Sequence, residues 1–253
     1  MIERGTIAAL GTRMHPWSMA ETVDEIAGRI GRGEFTQHVV VNVAKIVNMR
    51  VDDELRDSVE SCDIVNIDGM GVVWGARFLG NDVPERVAGI DLFHRLLAMS
   101  AELDFPVFLL GAREEIVDET VRRVESMYPG LVVAGHHHGY FWDDEASVVE
   151  AIKASGARML FVAITSPAKE SFINRWRDEL GVDFVMGVGG AFDIAAGHTT
   201  RAPGWMRPLG LEWTWRLAQE PRRMWRRCLV TNSKFVGLLL AQKVRQLLGR
   251  NEA

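Results

Sequence analysis

Short apolar runs alternate with amphipathic stretches throughout residues 36–196, and this repetition constrains the fold more than any other feature of the chain. The runs are short enough to be buried parallel strands, and the stretches between them carry the 3.6-residue spacing of surface helices. Strands are expected at 38–43, 64–67, 106–110, 131–134, 159–163 and 184–188, with helices at about 114–127, 145–155 and 169–180. Strand, helix, strand repetition with right-handed crossovers makes a doubly wound, mostly parallel α/β sheet of Rossmann-like type. Such sheets bind ligands beyond the carboxyl ends of their strands.

That rule directs attention to the residues after each strand. Asp68-Gly69-Met70-Gly71 follows Ile67, Gly111-Ala112-Arg113 follows Leu110, and Gly189-Gly190-Ala191-Phe192-Asp193 follows Val188. Glycine lets a backbone approach a phosphate or sugar closely, and a helix start adds free N–H donors. Neither GxGxxG nor GxxxxGK[ST] occurs, which argues against a dinucleotide oxidoreductase or a P-loop ATPase.

Charge divides the chain. Residues 201–253 hold eleven Lys and Arg against three acids, so the net charge of -5 leaves -13 for residues 1–200. The expected organisation is an α/β body over 1–200 and a basic, helical, Trp- and Arg-rich appendage over 201–253, joined at the loop signal 199–204. In the appendage, Trp205, Trp213, Trp215 and Trp225 are interleaved with Arg207, Arg216, Arg222, Arg223, Arg226 and Arg227. Arginine forks bind phosphate, and tryptophan favours an apolar–polar boundary. The last stretch, from Lys234 to Arg250, has the pattern of a helix lying on anionic lipid. It could equally pack on the body or on a second copy of the chain.

No run of about 18 apolar residues occurs, and the first residues lack the long apolar segment of a signal peptide, so a cytoplasmic location is expected. Cys62 and Cys228 are too few for a disulfide framework and are expected as thiols. In an extended chain adjacent histidines point to opposite faces, so His136 and His138 could share a ligand, but two imidazoles without carboxylates or cysteines make a thin metal site, and no metal is expected. They fit better as residues of a cleft. An acidic body without a recognisable RNA- or DNA-binding module argues against nucleic acid as partner.

Several motifs, in order and spacing, resemble the WecG/TagA/CpsF family of glycosyltransferases, glycosyltransferase family 26, from about residue 36 to 230. They are the run from Asp68 to Trp74, Arg86-Val87-Ala88-Gly89-Ile90-Asp91, the segment from Gly135 to Phe141, and the run from Gly187 to Asp193. Arg201-Ala202-Pro203-Gly204-Trp205, Leu211 to Leu217 and Glu220-Pro221-Arg222-Arg223 complete the set. The resemblance implies a metal-independent, inverting transfer of a hexosyl or N-acetylhexosaminyl group from a UDP-sugar to a polyprenyl-diphosphate-linked saccharide. It implies no cofactor, and work at the inner face of the cell membrane in cell-wall or exported-polymer synthesis.

In the roles that the resemblance implies, Asp68 is the base with Asn42 beside it. A base of this kind suits inversion, which needs a carboxylate to take the acceptor proton while the diphosphate leaves from the opposite face. The leaving charge then falls to arginines and N–H groups. Arg86, Gly111, Gly189, Gly190, Lys169, Arg216, Arg222, Arg223 and Arg226 are the candidates for donor and diphosphate, and Asp91, His136 and His138 for the acceptor cleft. Two positions depart from the family pattern. Val40 stands where a threonine is usual and Lys169 where a glutamine is usual, which leaves the sugar open between glucose, mannose, an N-acetylhexosamine and a uronic acid. A non-catalytic nucleotide-sugar scaffold is the competing reading.

Overall fold

The computed structural model describes residues 5–207, 210–219 and 221–249, and the side chains of Arg216, Arg223, Met224 and Arg227 fall outside the described set. The chain opens with a hairpin, β1 (Ile7–Ala9) and β2 (Thr12–Met14), then α1 (Met19–Gly31). Ser18 caps α1: its side chain accepts from Glu21 N, and the Glu21 carboxylate accepts from Ser18 N, a reciprocal capping box. Next come β3 (Thr36–Val41), α2 (Val43–Asn48), α3 (Asp53–Glu60), β4 (Ile64–Ile67), α4 (Met70–Phe78) and α5 (Gly89–Leu103). They are followed by β5 (Val107–Gly111), α6 (Glu114–Met127), β6 (Val133–His137), α7 (Glu145–Ala154), β7 (Met159–Ala163), α8 (Ala168–Trp176), β8 (Phe184–Gly187) and α9 (Ala191–Ala195). Two helices close the chain, α10 (Glu212–Gln219) and α11 (Pro221–Leu247).

Strands β4-β3-β8-β7-β5-β6 form one six-stranded sheet in that order, and every pairing in it is parallel. Side chains alternate between its faces, as the two-residue period of a strand requires. Met159, Phe161, Phe184 and Met186 enter a core with Phe93 and Leu96 of α5, Ile116 and Val124 of α6 and Phe192 of α9. Leu160, Val162 and Val185 enter the opposite core with Val148 and Ile152 of α7 and Phe172 of α8. Val39, Val41, Val65 and Ile67 continue that second face under α2, α3 and α4. The doubly wound α/β architecture expected from the apolar runs is the one observed.

Boundaries moved where polar residues do structural work. Asn42 and Val43, expected in the first strand, leave it: Asn42 caps α2, its Oδ1 accepting from Lys45 N at 3.0 Å. The strand expected at 131–134 lies at Val133–His137, and because β6 is the sheet's edge its residues are only partly buried.

Helix α11 lies against the body. Phe235 is buried among Val39, Val72 and Val73, and Leu238 and Leu239 pack beside it. A Cβ on Gly75 would come within 3.0 Å of Leu239 and 3.1 Å of Phe235, so the glycine is what lets α11 approach α4 this closely. Gln242 Oε1 accepts from Leu10 N at 2.8 Å, and Gln246 Nε2 donates to Leu79 O at 3.3 Å. Cys62 is a buried free thiol pushed up to about 12 by burial, and Cys228 is a free thiol near the surface.

Candidate active site

Two adjacent strands end in polar residues. In the register of β3 and β4, Val41 pairs with Ile67, which sets Asn42 and Asp68 side by side at the carboxyl edge, and Asp68 N donates to Val41 O at 2.8 Å. The cap of α4 is Gly69, with φ +96°. The Asp68 carboxylate reaches the next helix. Gly89 N, at the start of α5, donates to Asp68 Oδ2 at 3.5 Å. Val40, in the place of the usual threonine, packs within 3.4 Å of where a Gly89 Cβ would stand.

A cleft of about 480 Å³ opens beside these residues, lined by Met70, Val73, Arg77, Arg86, Asp91 and Arg207, with Pro84, Glu85 and Gly204 completing its wall. An ion-pair network closes one side of it. Arg86 donates to Glu212 Oε2 of α10 at 2.5 Å, Arg201 Nε donates to Glu212 Oε1 at 3.3 Å, and Arg201 holds both oxygens of Asp91 at 2.5 and 2.7 Å. The Arg201 fork, ahead of its charge and those of Arg86 and Arg207, holds the Asp91 carboxyl below the usual carboxylate range against the opposing effect of burial. The appendage thereby contributes Glu212 and Arg207 to a site whose other wall belongs to the body. Neither residue stood among the sequence candidates. Glu212 lies inside the motif Leu211 to Leu217, and Arg207 stands among the arginines interleaved with tryptophans, but only the fold shows what they touch.

The remaining candidates sit elsewhere. Lys169 belongs to a buried cluster on the α8 face of the sheet: Glu170 Oε1 accepts from Lys45 Nζ at 2.9 Å and pairs with Lys169 Nζ at 3.3 Å. The Lys169 stem lies where a Gly187 side chain would be, 2.5 Å from its Cβ position. Burial, and then the Lys45 charge, pull the Lys169 ammonium down. Burial pushes the Glu170 carboxyl up, but the two ammonium groups and hydrogen bonds from Lys45 and Ser166 outweigh it and hold it below its ordinary value.

Gly189 and Gly190 present backbone to open space, whereas the glycine at 111 is demanded by packing, its Cβ position lying 2.5 Å from Ala163 O. Arg222 and Arg226 are exposed on α11, and the Arg226 guanidinium lies 5.9 Å from the Trp225 ring. His136 and His138 do not share a ligand position. His136 Nε2 bonds Asp118 Oδ1 at 2.9 Å, while His138 lies past the end of β6 and its Nδ1 accepts from Tyr140 N at 3.1 Å.

The chain matches the family model described as glycosyl transferase WecG/TagA/CpsF over residues 7–248. It is also similar to two proteins named N-acetylglucosaminyldiphosphoundecaprenol N-acetyl-beta-D-mannosaminyltransferase. It is 35% identical to that of Bacillus subtilis (strain 168) over 178 residues, which cover 70% of this chain and 69% of the relative. To that of Bacillus spizizenii (strain ATCC 23059 / NRRL B-14472 / W23) it is 38% identical over 169 residues, 67% of this chain and 65% of the relative.

Proposed function

The chain belongs to the WecG/TagA/CpsF family of glycosyl transferases, and on that premise we propose that it moves a hexose or N-acetylhexosamine from UDP to a saccharide on polyprenyl diphosphate, with inversion and without a metal. The observation that carries the reading is Asp68, held between the end of β4 and the start of α5 beside a cleft that contains Arg86 and Arg207. In the reaction, Asp68 takes the proton of the acceptor hydroxyl as its oxygen bonds the sugar's anomeric carbon. The bond from that carbon to the phosphate oxygen breaks on the opposite face, and UDP leaves with the electron pair. Arginine side chains and backbone N–H groups, such as those of Gly189 and Gly190, supply the donors that the departing diphosphate requires. Asn42, with Oδ1 engaged by Lys45 N, offers its amide N–H to the substrate. A panel of UDP- and GDP-sugars, assayed with a short-chain polyprenyl-diphosphate GlcNAc acceptor, is expected to give transfer from one UDP-sugar, unchanged by EDTA. Loss of transfer in EDTA, restored by a divalent cation, would refute the metal-independent route.

The same reading puts the protein on the cytoplasmic face of a membrane. Among the described residues no helix is long and apolar enough to cross a bilayer. Support comes from the second apolar face of α11: Val236, Leu240, Val244 and Leu247 are all exposed, on the side away from Phe235, and Lys243 lies 5.4 Å from the ring of exposed Phe78 on α4. Apolar residues with basic neighbours are the composition of an interfacial helix on anionic lipid. A Leu240→Glu, Val244→Glu variant leaves the Phe235 side of the helix intact. It is expected to lose about tenfold or more in partition onto anionic vesicles, at roughly 0.8 kcal/mol for each CH₂ withdrawn from lipid. Co-sedimentation equal to wild type would remove the membrane assignment.

A further inference from the structure

We propose that the cleft between α4 and α5 is a diphosphate site for the lipid-linked acceptor, and that Arg207 is the residue that binds that diphosphate. The inference rests on the glycosyl-transfer reading and deepens it, by assigning Arg207 to the diphosphate of the acceptor and not to that of the donor. Arg207 Nε is buried and has no hydrogen-bond partner among the described residues. The other guanidiniums of the cleft are engaged. Arg77 gives three hydrogen bonds to the carbonyls of Val83 and Pro84, at 2.7 to 3.0 Å, and Arg86 is held by Glu212. Among the described residues, no hydrogen bond joins Arg207 to either carboxylate of the lining: Asp91 feels the Arg207 charge but is held by the Arg201 fork, and Glu85 accepts from Met19 N. The lining itself carries three guanidiniums, those of Arg77, Arg86 and Arg207, against two carboxylates, those of Glu85 and Asp91. A buried guanidinium N–H without an acceptor is costly to leave unmade, and an anionic oxygen is the partner that satisfies it best.

A diphosphate could come from either substrate, and position favours the acceptor. The cleft begins at Met70, two residues beyond Asp68, and Asp91 lies two residues beyond Gly89, whose N–H meets the Asp68 carboxylate. A saccharide whose diphosphate sits at Arg207 therefore lies on the path to the base. Met70, Val73 and Pro84 make the wall apolar, and Trp74 and Trp205, 55% and 67% exposed, stand beside Val73 and Gly204. Exposed Phe78, one turn on from Trp74, meets Lys243 of α11. An apolar path thus runs from the cleft along α4 to the outer stripe of α11, the course that a polyprenyl chain would take and that a nucleotide has no use for. The cleft volume lies within the ordinary range of small-ligand sites.

The test uses the full chain, with wild type, Arg207→Ala and Arg207→Lys, and two probes, farnesyl diphosphate and UDP. Wild type is expected to bind both. Arg207→Ala is expected to weaken farnesyl diphosphate about 10- to 100-fold, the loss of a charged hydrogen-bonding group, and to raise the acceptor KM in parallel. The UDP Kd is expected to stay within about twofold, and Arg207→Lys to recover part of the loss, because an ammonium keeps the charge without the fork. An unchanged thermal midpoint excludes a folding defect. Loss of UDP binding with farnesyl diphosphate unaffected would assign the cleft to the donor and overturn the inference. So would a variant that binds both probes as wild type does, or a wild type that does not bind farnesyl diphosphate. Farnesyl diphosphate binding that depends on Arg207, in a protein that transfers no sugar, would uphold the site and refute the glycosyl-transfer reading instead.

Discussion

Asp68→Asn is expected to lower kcat for sugar transfer by about 10²- to 10⁴-fold, the range over which a positioned general base contributes. The change is nearly isosteric, and an asparagine oxygen can still accept from Gly89 N, which in the native protein meets Asp68 Oδ2 at 3.5 Å. Folding and the UDP Kd are therefore expected to stay at wild-type values, so that the loss falls in the chemical step. Single-turnover transfer at saturating donor and acceptor, beside a UDP titration, separates the two. A variant that turns over at the wild-type rate would exclude Asp68 as base. One that loses UDP binding in proportion to rate would make Asp68 a ligand of the donor.

Glu170→Ala is expected to cost about 3–5 kcal/mol of folding stability, the penalty for leaving buried charge without its partner. The side chains of Glu170, Lys45 and Lys169 are 4%, 9% and 11% exposed, and the one carboxylate serves both ammonium groups. Urea unfolding at neutral pH measures the loss, and a cost below about 1 kcal/mol, the ceiling typical of exposed pairs, would mean that water screens the cluster. The pH dependence has a definite sign. Glu170 has a folded pKa below its unfolded one, so its contribution is present above the unfolded value and is lost as pH falls through the folded value. Lys169 is lowered too, and for a cation this means that the charged form is disfavoured in the folded protein. Its cost is present at neutral pH and is relieved as pH rises from the folded pKa towards 10.5. The variant is expected to lose the acid-side dependence that Glu170 supplies.

The legibility of the chain follows from how local each signal is. Ile64–Ile67, Glu114–Met127 and Met159–Ala163 lie where the apolar pattern puts them, since a central parallel strand must be apolar on both faces and a surface helix on one. The hairpin of β1 and β2 gives no comparable signal, because three-residue strands are too short to show a period. Strand β6 was displaced because the run of Leu131 to Ala134 looked like a buried strand, while the true edge strand tolerates His136 and His137.

The site divides in the same way. Asp68 was visible because it directly follows an expected strand, whereas Asn42, expected inside the strand 38–43, was named through the family resemblance. Arg86 was visible as a cation but not as the partner of Glu212, 126 residues away, and the link between Asp91 and Arg201 spans 110 residues. Helix α11 was read as a single amphipathic face, yet it has one apolar face against Gly75 and another exposed.

The sequence by itself determined the sheet, its helical layers, the family and the edge on which a ligand site must lie, because burial imposes a local pattern that the chain displays residue by residue. Only the tertiary structure decided which arginines are paired, that Arg207 Nε has no hydrogen-bond partner among the described residues, and that Lys169 lies buried with Glu170 outside the cleft. Ion pairing depends on which distant segments fold together, and side chains of like charge are indistinguishable until those segments meet.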